Sequence, residues 1–380
     1  MKAIYFDNAA TTALDPEVLE AMLPFMKEHY GNPSSIHSFG RKTKGAIEKN
    51  RKVIADLLNV QPTELFFTSG GTEADNLAIR GSVEQHGIAD IISSPIEHHA
   101  VLHTIEDLEA RGTVRFHRVR VQRNGHIDLD HLQELLNAYP GALVSLMHAN
   151  NEIGNLLDLE KVGNMCREKG AIFHSDTVQT MGHYRMDLSE LPVDMVTCSA
   201  HKFHGPKGSG ILYIRKGSEP HPIVHGGGQE RQMRGGTENL YGIIGLAKAL
   251  EVAHRDMEDH EEQVRKVRNK MIDGLENAIE GVSFHGDPKG NCLYTVLNVD
   301  FPPIPEADML LFNLDLEGVA ASGGSACSSG SDQGSHVLQG IGADPERPNA
   351  RFSFSKFNRP EETDHALDTL KSLFKVSVGS

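Results

Sequence analysis

The sequence predicts an α/β protein, with a large domain built on a mostly parallel sheet sandwiched by helices and a smaller α+β domain after it. Three observations predict this. Between residues 46 and 215 short apolar runs alternate with segments whose apolar residues fall on one helical face. A long, charged helical stretch follows from about 240 to 280, and the last hundred residues change to a strand, helix, loop, strand, helix order. Strand and helix alternation implies parallel pairing, because a parallel connection needs a crossover long enough to hold a helix. At 380 residues the chain also exceeds the size at which single cores stop growing. We place the large domain at 15–255 and the small one at 1–14 plus 256–380, with a loop at 322–335.

Each element has its own reason. "LFFT" (65–68), "ADII" (89–92), "ALVSLM" (142–147), "AIFHS" (171–175), "DMVTCS" (194–199) and "GILYI" (210–214) are short apolar runs of strand length. Between them, Ala74, Leu77, Ala78 and Gly81 share one helical face, as do Val101, Leu102, Ile105 and Leu108. The 240–280 stretch is too long for one ordinary helix and is expected to bend. Beyond it we expect a strand at 292–299, a helix at 306–316, the Ser/Gly-rich loop, a strand at 350–354 and a final helix after Pro360.

Composition narrows the function. Hydrophobic residues at 39% and charged residues at 23% are ordinary for a globular chain. The 37 Lys and Arg against 52 Asp and Glu leave a net charge of -15, which repels nucleic acid and anionic lipid, so neither is expected as a partner. "MKAIYFDNAATT" lacks a signal-like apolar run and no stretch approaches the roughly 20 apolar residues of a spanning helix, so a cytoplasmic location is the expectation. Cys166, Cys198, Cys292 and Cys327 are far apart with no C-x-x-C pair, which argues against a zinc site or a disulfide framework.

The chemistry is expected beyond the carboxyl ends of the strands. "LFFT" runs into "SGGTEAD", whose glycines let backbone N–H groups approach an anion, with Thr72 as expected helix cap and Asp75 three residues on. "AIFHSD" ends in Asp176, and "DMVTCS" leads through Ser199 and His201 to Lys202 in "SAHKFHGPKGSG" (199–210). A nucleotide-binding reading fails on context: the first motif lacks the G-K-[ST] of a P-loop, and "GPKGSG" precedes a strand where a dinucleotide fingerprint follows one. An anion cradle, a carboxylate and a lysine are what pyridoxal phosphate (PLP) requires: the carboxylate keeps the ring nitrogen protonated and the lysine forms the imine. Such a lysine, with an ordinary pKa of about 10.4, must be desolvated or crowded, and His201 and His204 are its neighbours. Singly, each residue has a bland reading: a surface lysine, a turn-capping Asp176, structural His98 and His99 without H-E-x-x-H spacing for a metal.

The chain resembles the NifS/IscS-type cysteine desulfurases, PLP enzymes of fold type I in the class V aminotransferase group. The likeness rests on ordered motifs over nearly the whole length: "YFDNAATT" (5–12), "NPSSIH" (32–37), "FTSGGTEADN" (67–76), "EHHAV" (97–101), "ANNEIG" (149–154), "FHSDTVQ" (173–179), "SAHKFHGPKG" (199–208), "GGGQERQMRGGTEN" (226–239), "SGGSACSSGS" (322–331) and "RFSFSKF" (351–357). The resemblance implies that Lys202 carries the cofactor and moves the substrate Cα proton, Asp176 pairs with the ring nitrogen, Gln179 bonds the ring hydroxyl, and His98 stacks on the ring and serves in acid/base steps. It implies a phosphate held by Gly71, Thr72, Ser199 and His201, with Thr237 reaching the phosphate of the other subunit in a homodimer, and a substrate carboxylate held by Asn151 and Arg351. Cys327 matches the sulfur acceptor, and its Ser/Gly-rich surroundings read as exposed and mobile, while Cys166, Cys198 and Cys292 read as inert core. The implied reaction turns L-cysteine into alanine and leaves a persulfide on Cys327 for a sulfur-acceptor protein such as an iron–sulfur scaffold, or for thio-modification. "SDQGSHVL", Asp75, Ala13, Ser355 and Lys356 depart from the usual pattern. Selenocysteine lyase and class V aminotransferase activities use a similar site, and a catalytically silent scaffold would keep the fold without the chemistry.

Overall fold

The computed structural model describes residues 3–304, 307–323 and 334–376. In chain order the first half holds β1 (Ile4–Tyr5), α1 (Pro16–Lys27), α2 (Ser38–Leu58), β2 (Leu65–Thr68), α3 (Gly71–His86), β3 (Asp90–Ser93), α4 (His99–Ala110), β4 (Arg115–Arg118), α5 (Leu129–Ala138), β5 (Leu143–Ser145), α6 (Leu159–Glu168) and β6 (Ile172–Asp176). The second half continues with β7 (Met195–Ser199), β8 (Gly210–Ile214), α7 (Leu240–Arg255), α8 (Met257–Ala278), β9 (Ser283–His285), β10 (Val296–Asp300), α9 (Leu310–Leu316), β11 (Val319–Ala320), α10 (His336–Gly340), β12 (Asn349–Ser353) and α11 (Pro360–Val376).

The central sheet has the order β2-β8-β7-β6-β5-β3-β4, and its pairs from β7 to β4 are parallel. Only β8 runs against its neighbours β7 and β2. The cause is the connection 200–209, shorter than the dozen or so residues a parallel crossover needs. Because side chains alternate across a strand, Ile211 and Tyr213 enter the core under α1, α2 and α7, while Leu212 and Ile214 enter the core under α3 and α4. Lys202 thus leaves a strand buried on both faces.

A second core forms where α8 and α11 cover the antiparallel sheet β12-β10-β9, and Ile4 and Phe6 pack into it from the N-terminus. The helical stretch after 240 breaks at Asp256, as the sequence suggested. The strand expected at 292–299 starts at Val296, and the helix expected from 306 begins at Leu310 after a 3-10 turn at Ala307–Met309. Two long helices were not foreseen. α1 carries its signal in Asp15, which caps Glu17 N, followed by Pro16. α2 hides its apolar face because Arg51 sits in the middle of it, 2% exposed and bonded to both oxygens of Glu230 at 2.8 and 2.7 Å. Among the described residues no helix is long and apolar enough to cross a membrane.

Candidate active site

The site is a cavity of about 220 Å³ at the carboxyl ends of the sheet strands, lined by side chains from four separate turns and from the N-terminal segment. The first turn follows β2. Gly70 has φ +153, a conformation L side chains rarely adopt, and serves as N-cap of α3 with no side-chain bond to the first turn. A Cβ on Gly71 would stand 2.9 Å from a methyl of Val178, so the backbone here approaches the cavity at glycine distance. Thr72 was expected to cap the helix but lies inside it, because the glycine turn places the helix start at Gly71. One turn on, Asp75 faces the same cavity, 1% exposed.

The second turn follows β6. Asp176 accepts the Val178 N–H at 2.8 Å, and burial pushes its carboxyl up to about 6 against the opposing influence of that bond and of Lys202. Gln179 donates to the Ala9 carbonyl at 3.0 Å. The third turn follows β7, where a 3-10 turn at Ala200–Lys202 aims Lys202 inward. Its Nζ donates to the carbonyls of Ala9 at 2.5 Å and Ala10 at 3.0 Å. His201 contacts Thr11 Oγ1 at 3.1 Å and is pushed down to about 4, by burial first and then by Lys202. The N-terminal segment is therefore a wall of the site, and Thr12 fixes it by bonding the His201 carbonyl. His204, expected beside the lysine, turns away: its ring bonds the Ala13 carbonyl at 2.8 Å and packs on Phe357.

The fourth turn precedes α4. His98 accepts the Ala100 N–H on Nδ1 at 3.1 Å, which places the ring proton on Nε2. Burial and then Lys202 push its pKa down to about 4, so the ring is neutral at physiological pH. Behind it Glu97, fully buried, accepts from Ser94 Oγ and from the Met147 N–H, and burial pushes it up to about 8. From β12, Arg351 donates to Asp7 Oδ1 at 2.8 Å and to the Asn151 carbonyl at 3.1 Å. Its Nε is buried and has no hydrogen-bond partner among the described residues.

Thus Gly71, Thr72, His98, Asn151, Asp176, Gln179, Ser199, His201, Lys202 and Arg351 line one cavity. Thr237 does not; it lines a separate cleft of about 110 Å³ with Thr68, Ser69 and Arg234. Cys327 lies outside the described residues. Further along, Ser335 caps α10, and His336 contacts His99 at 3.1 Å next to His98. Burial drives the thiol of Cys166 up to about 12 and that of Cys198 higher still, and Cys292 is also buried. Glu97, Asp7 and the Ala9 and Ala10 carbonyls are contributors that sequence reasoning did not single out, and Asp75 was read only as a cap partner. The motifs "YFDNAATT", "SGGTEAD" and "EHHAV" contained them all, but the inward aim of a side chain is a tertiary fact.

A lysine amine, a buried carboxylate, a neutral imidazole and a guanidinium with an unpaired donor face a helix start that offers backbone N–H groups, so the residues fit PLP. The comparisons agree. The class-V aminotransferase description matches residues 4–365, and the chain belongs to that family. It is a PLP-dependent enzyme. Within the family it is 44% identical over 379 residues to a protein named cysteine desulfurase IscS from Dictyoglomus turgidum (strain DSM 6724 / Z-1310), covering 98% of this chain and 95% of that one. It is 42% identical over 376 residues to another of that name from Methanosarcina thermophila, covering 98% and 92%. A solved NifS-like protein superposes with a TM-score of 0.91 at 38% identity, covering 98% of this chain and all of that one. A structure titled SspA in complex with cysteine superposes with a TM-score of 0.81 at 32% identity, covering 93% and 99%.

Proposed function

We propose that the chain is a cysteine desulfurase that turns L-cysteine into L-alanine and carries the released sulfur as a persulfide on Cys327. One observation carries this reading: Lys202, Asp176, His98 and Arg351 come from four distant segments and face one cavity. The names of the full-length relatives and the cysteine-bound neighbour supply the substrate.

Bound in this cavity, PLP supplies an electron sink for the pair left when a proton leaves the substrate Cα. Around it, Gly71, Thr72, Ser199 and His201 hold the phosphate, Asp176 the ring nitrogen and Gln179 the ring hydroxyl. Lys202 holds the cofactor and moves the Cα proton. His98, neutral with its proton on Nε2, would donate or accept a proton beside the bound cofactor. Arg351 directs its spare donor at the substrate carboxylate, with Asn151 beside it. The Cys327 thiolate attacks the substrate sulfur: an S–S bond forms, the C–S bond breaks, and its electron pair goes to carbon, which is then protonated to alanine. In the homodimer we propose, Thr237 serves the partner's phosphate, and residues 15–255 form the cofactor-binding domain against 1–14 plus 256–380. A protein acceptor such as an iron–sulfur scaffold then takes the sulfur in the cytoplasm.

Mass spectrometry after incubation with L-cysteine tests the reading. One added sulfur on the Cys327 peptide with equimolar alanine is expected, and a Cys327→Ser chain keeps the cofactor but loses the adduct. Sulfide release undiminished in Cys327→Ser, or a strong preference for selenocysteine, would overturn it.

A further inference from the structure

The proposed PLP pocket holds more acid than the chemistry needs. Asp75 and Asp176 reach it from α3 and β6, 1% and 6% exposed, and one oxygen from each lies within 4.8 Å of the other and of a His98 ring nitrogen. Two carboxylates this close and this buried repel each other when ionised, so a charge on one favours a proton on the other.

The surroundings decide which one keeps the charge. Asp176 has the Val178 N–H at 2.8 Å and the Lys202 ammonium to stabilise an anion. Lys202 and Arg351 line the same cavity, but among the described residues the groups that act on Asp75 include no cation, whereas Lys202 acts on Asp176. From β6, His174 stands 3.5 Å from Asp75 Oδ1, but its ring is fully buried between Ser145 Oγ at 2.9 Å and Thr197 Oγ1 at 3.0 Å and is pushed down to about 3, so it is neutral. From the turn before α4, Glu97 adds only a further acid. From β7, the Thr197 hydroxyl opposes the upward push on the Asp75 carboxyl only in part, and Oδ1 has no hydrogen-bond partner among the described residues. That oxygen is where a proton can sit and be offered.

We propose that Asp75 is a positioning residue: it keeps a proton through neutral pH and donates it to Asp176, so that the pair turns one negative charge toward the cofactor's ring nitrogen. This rests on the PLP reading of the pocket. Burial and the Asp176 charge both push Asp75 well above the usual carboxylate range, in agreement with the geometry. Asp75 touches neither substrate nor cofactor in this role; it fixes the rotamer and the charge of the residue that does.

The test is infrared spectroscopy of holoenzyme labelled with ¹³C-carboxyl aspartate, which separates aspartic acid from Glu97. At neutral pH the wild type should show a protonated-aspartate carbonyl band that is lost at alkaline pH, and Asp75→Asn should lack it throughout. In parallel, PLP affinity should stay within about threefold of wild type in Asp75→Asn, whose amide still donates, and weaken about tenfold or more in Asp75→Ala, the value of one buried hydrogen bond. A wild type without the band, a band that survives in Asp75→Asn, or an Asp75→Ala protein that binds PLP as the wild type does would overturn the assignment. Wild-type protein that takes up no PLP would overturn the reading of the pocket itself, and the inference with it.

Discussion

Arg351 and Asp7 form an ion pair at 2.8 Å across the wall of the cavity, joining β12 to the loop after β1. The contact uses one end of the guanidinium fork and leaves Nε without a partner among the described residues. Arg351→Lys keeps the charge but removes the fork, so KM for L-cysteine should rise about 10- to 100-fold with kcat changed less, the value of a charge-assisted hydrogen bond. Steady-state kinetics checks this, and an equal loss in both constants would place Arg351 in the chemical step.

Lys202 is poised by the Ala9 and Ala10 carbonyls. Lys202→Ala should lower turnover by about 10²- to 10⁴-fold, the range of a lost acid/base group. After borohydride reduction and denaturation PLP should stay with the wild-type chain and separate from the variant.

Glu97 makes stability depend on pH. Its carboxyl is raised in the fold from 4.5 to about 8, so the folded state holds a proton that the unfolded chain releases. The stability this contributes is fully present below pH 4.5 and is lost as pH rises through about 8. The melting temperature of wild type relative to Glu97→Gln should therefore fall across that window, and a flat difference would contradict the buried neutral acid.

Glu230 has φ +45, and its carboxylate takes both Arg51 and the Phe67 N–H at 2.9 Å. Glu230→Gln leaves the buried Arg51 guanidinium with only the exposed Glu48 carboxylate at 3.3 Å as an ionic partner and should cost about 3 kcal/mol in denaturant unfolding. Replacing Arg51 and Glu230 together by apolar residues should cost less than the single change.

Six strands of the sheet were legible because they are largely buried and read as apolar runs, and "GILYI" and "LFFT" were placed to the residue, whereas the edge strand β4, RFHR with exposed ends, was missed. That Asp176, Ser199 and Lys202 share one cavity was legible because each stands at or just past a strand end. Three features were hidden by tertiary compensation. Arg51 disguised α2 as a surface helix until Glu230 neutralised it. Asp75 read as part of a cap motif because nothing local says that it turns inward. His204 sits only two residues from Lys202, yet its ring bonds the Ala13 carbonyl and lines a different cavity from the one Lys202 enters.

The bare start of α3 has a practical corollary for anyone handling the purified chain. A helix that begins at Gly71 behind the bare cap Gly70 leaves its opening amides to whichever oxyanion is most abundant. Phosphate and sulfate should thus act as rivals of the vitamin B6 coenzyme during reconstitution, slowing its return in proportion to their concentration, while chloride at matched ionic strength does not. Buffer salt becomes a variable of the enzyme's occupancy.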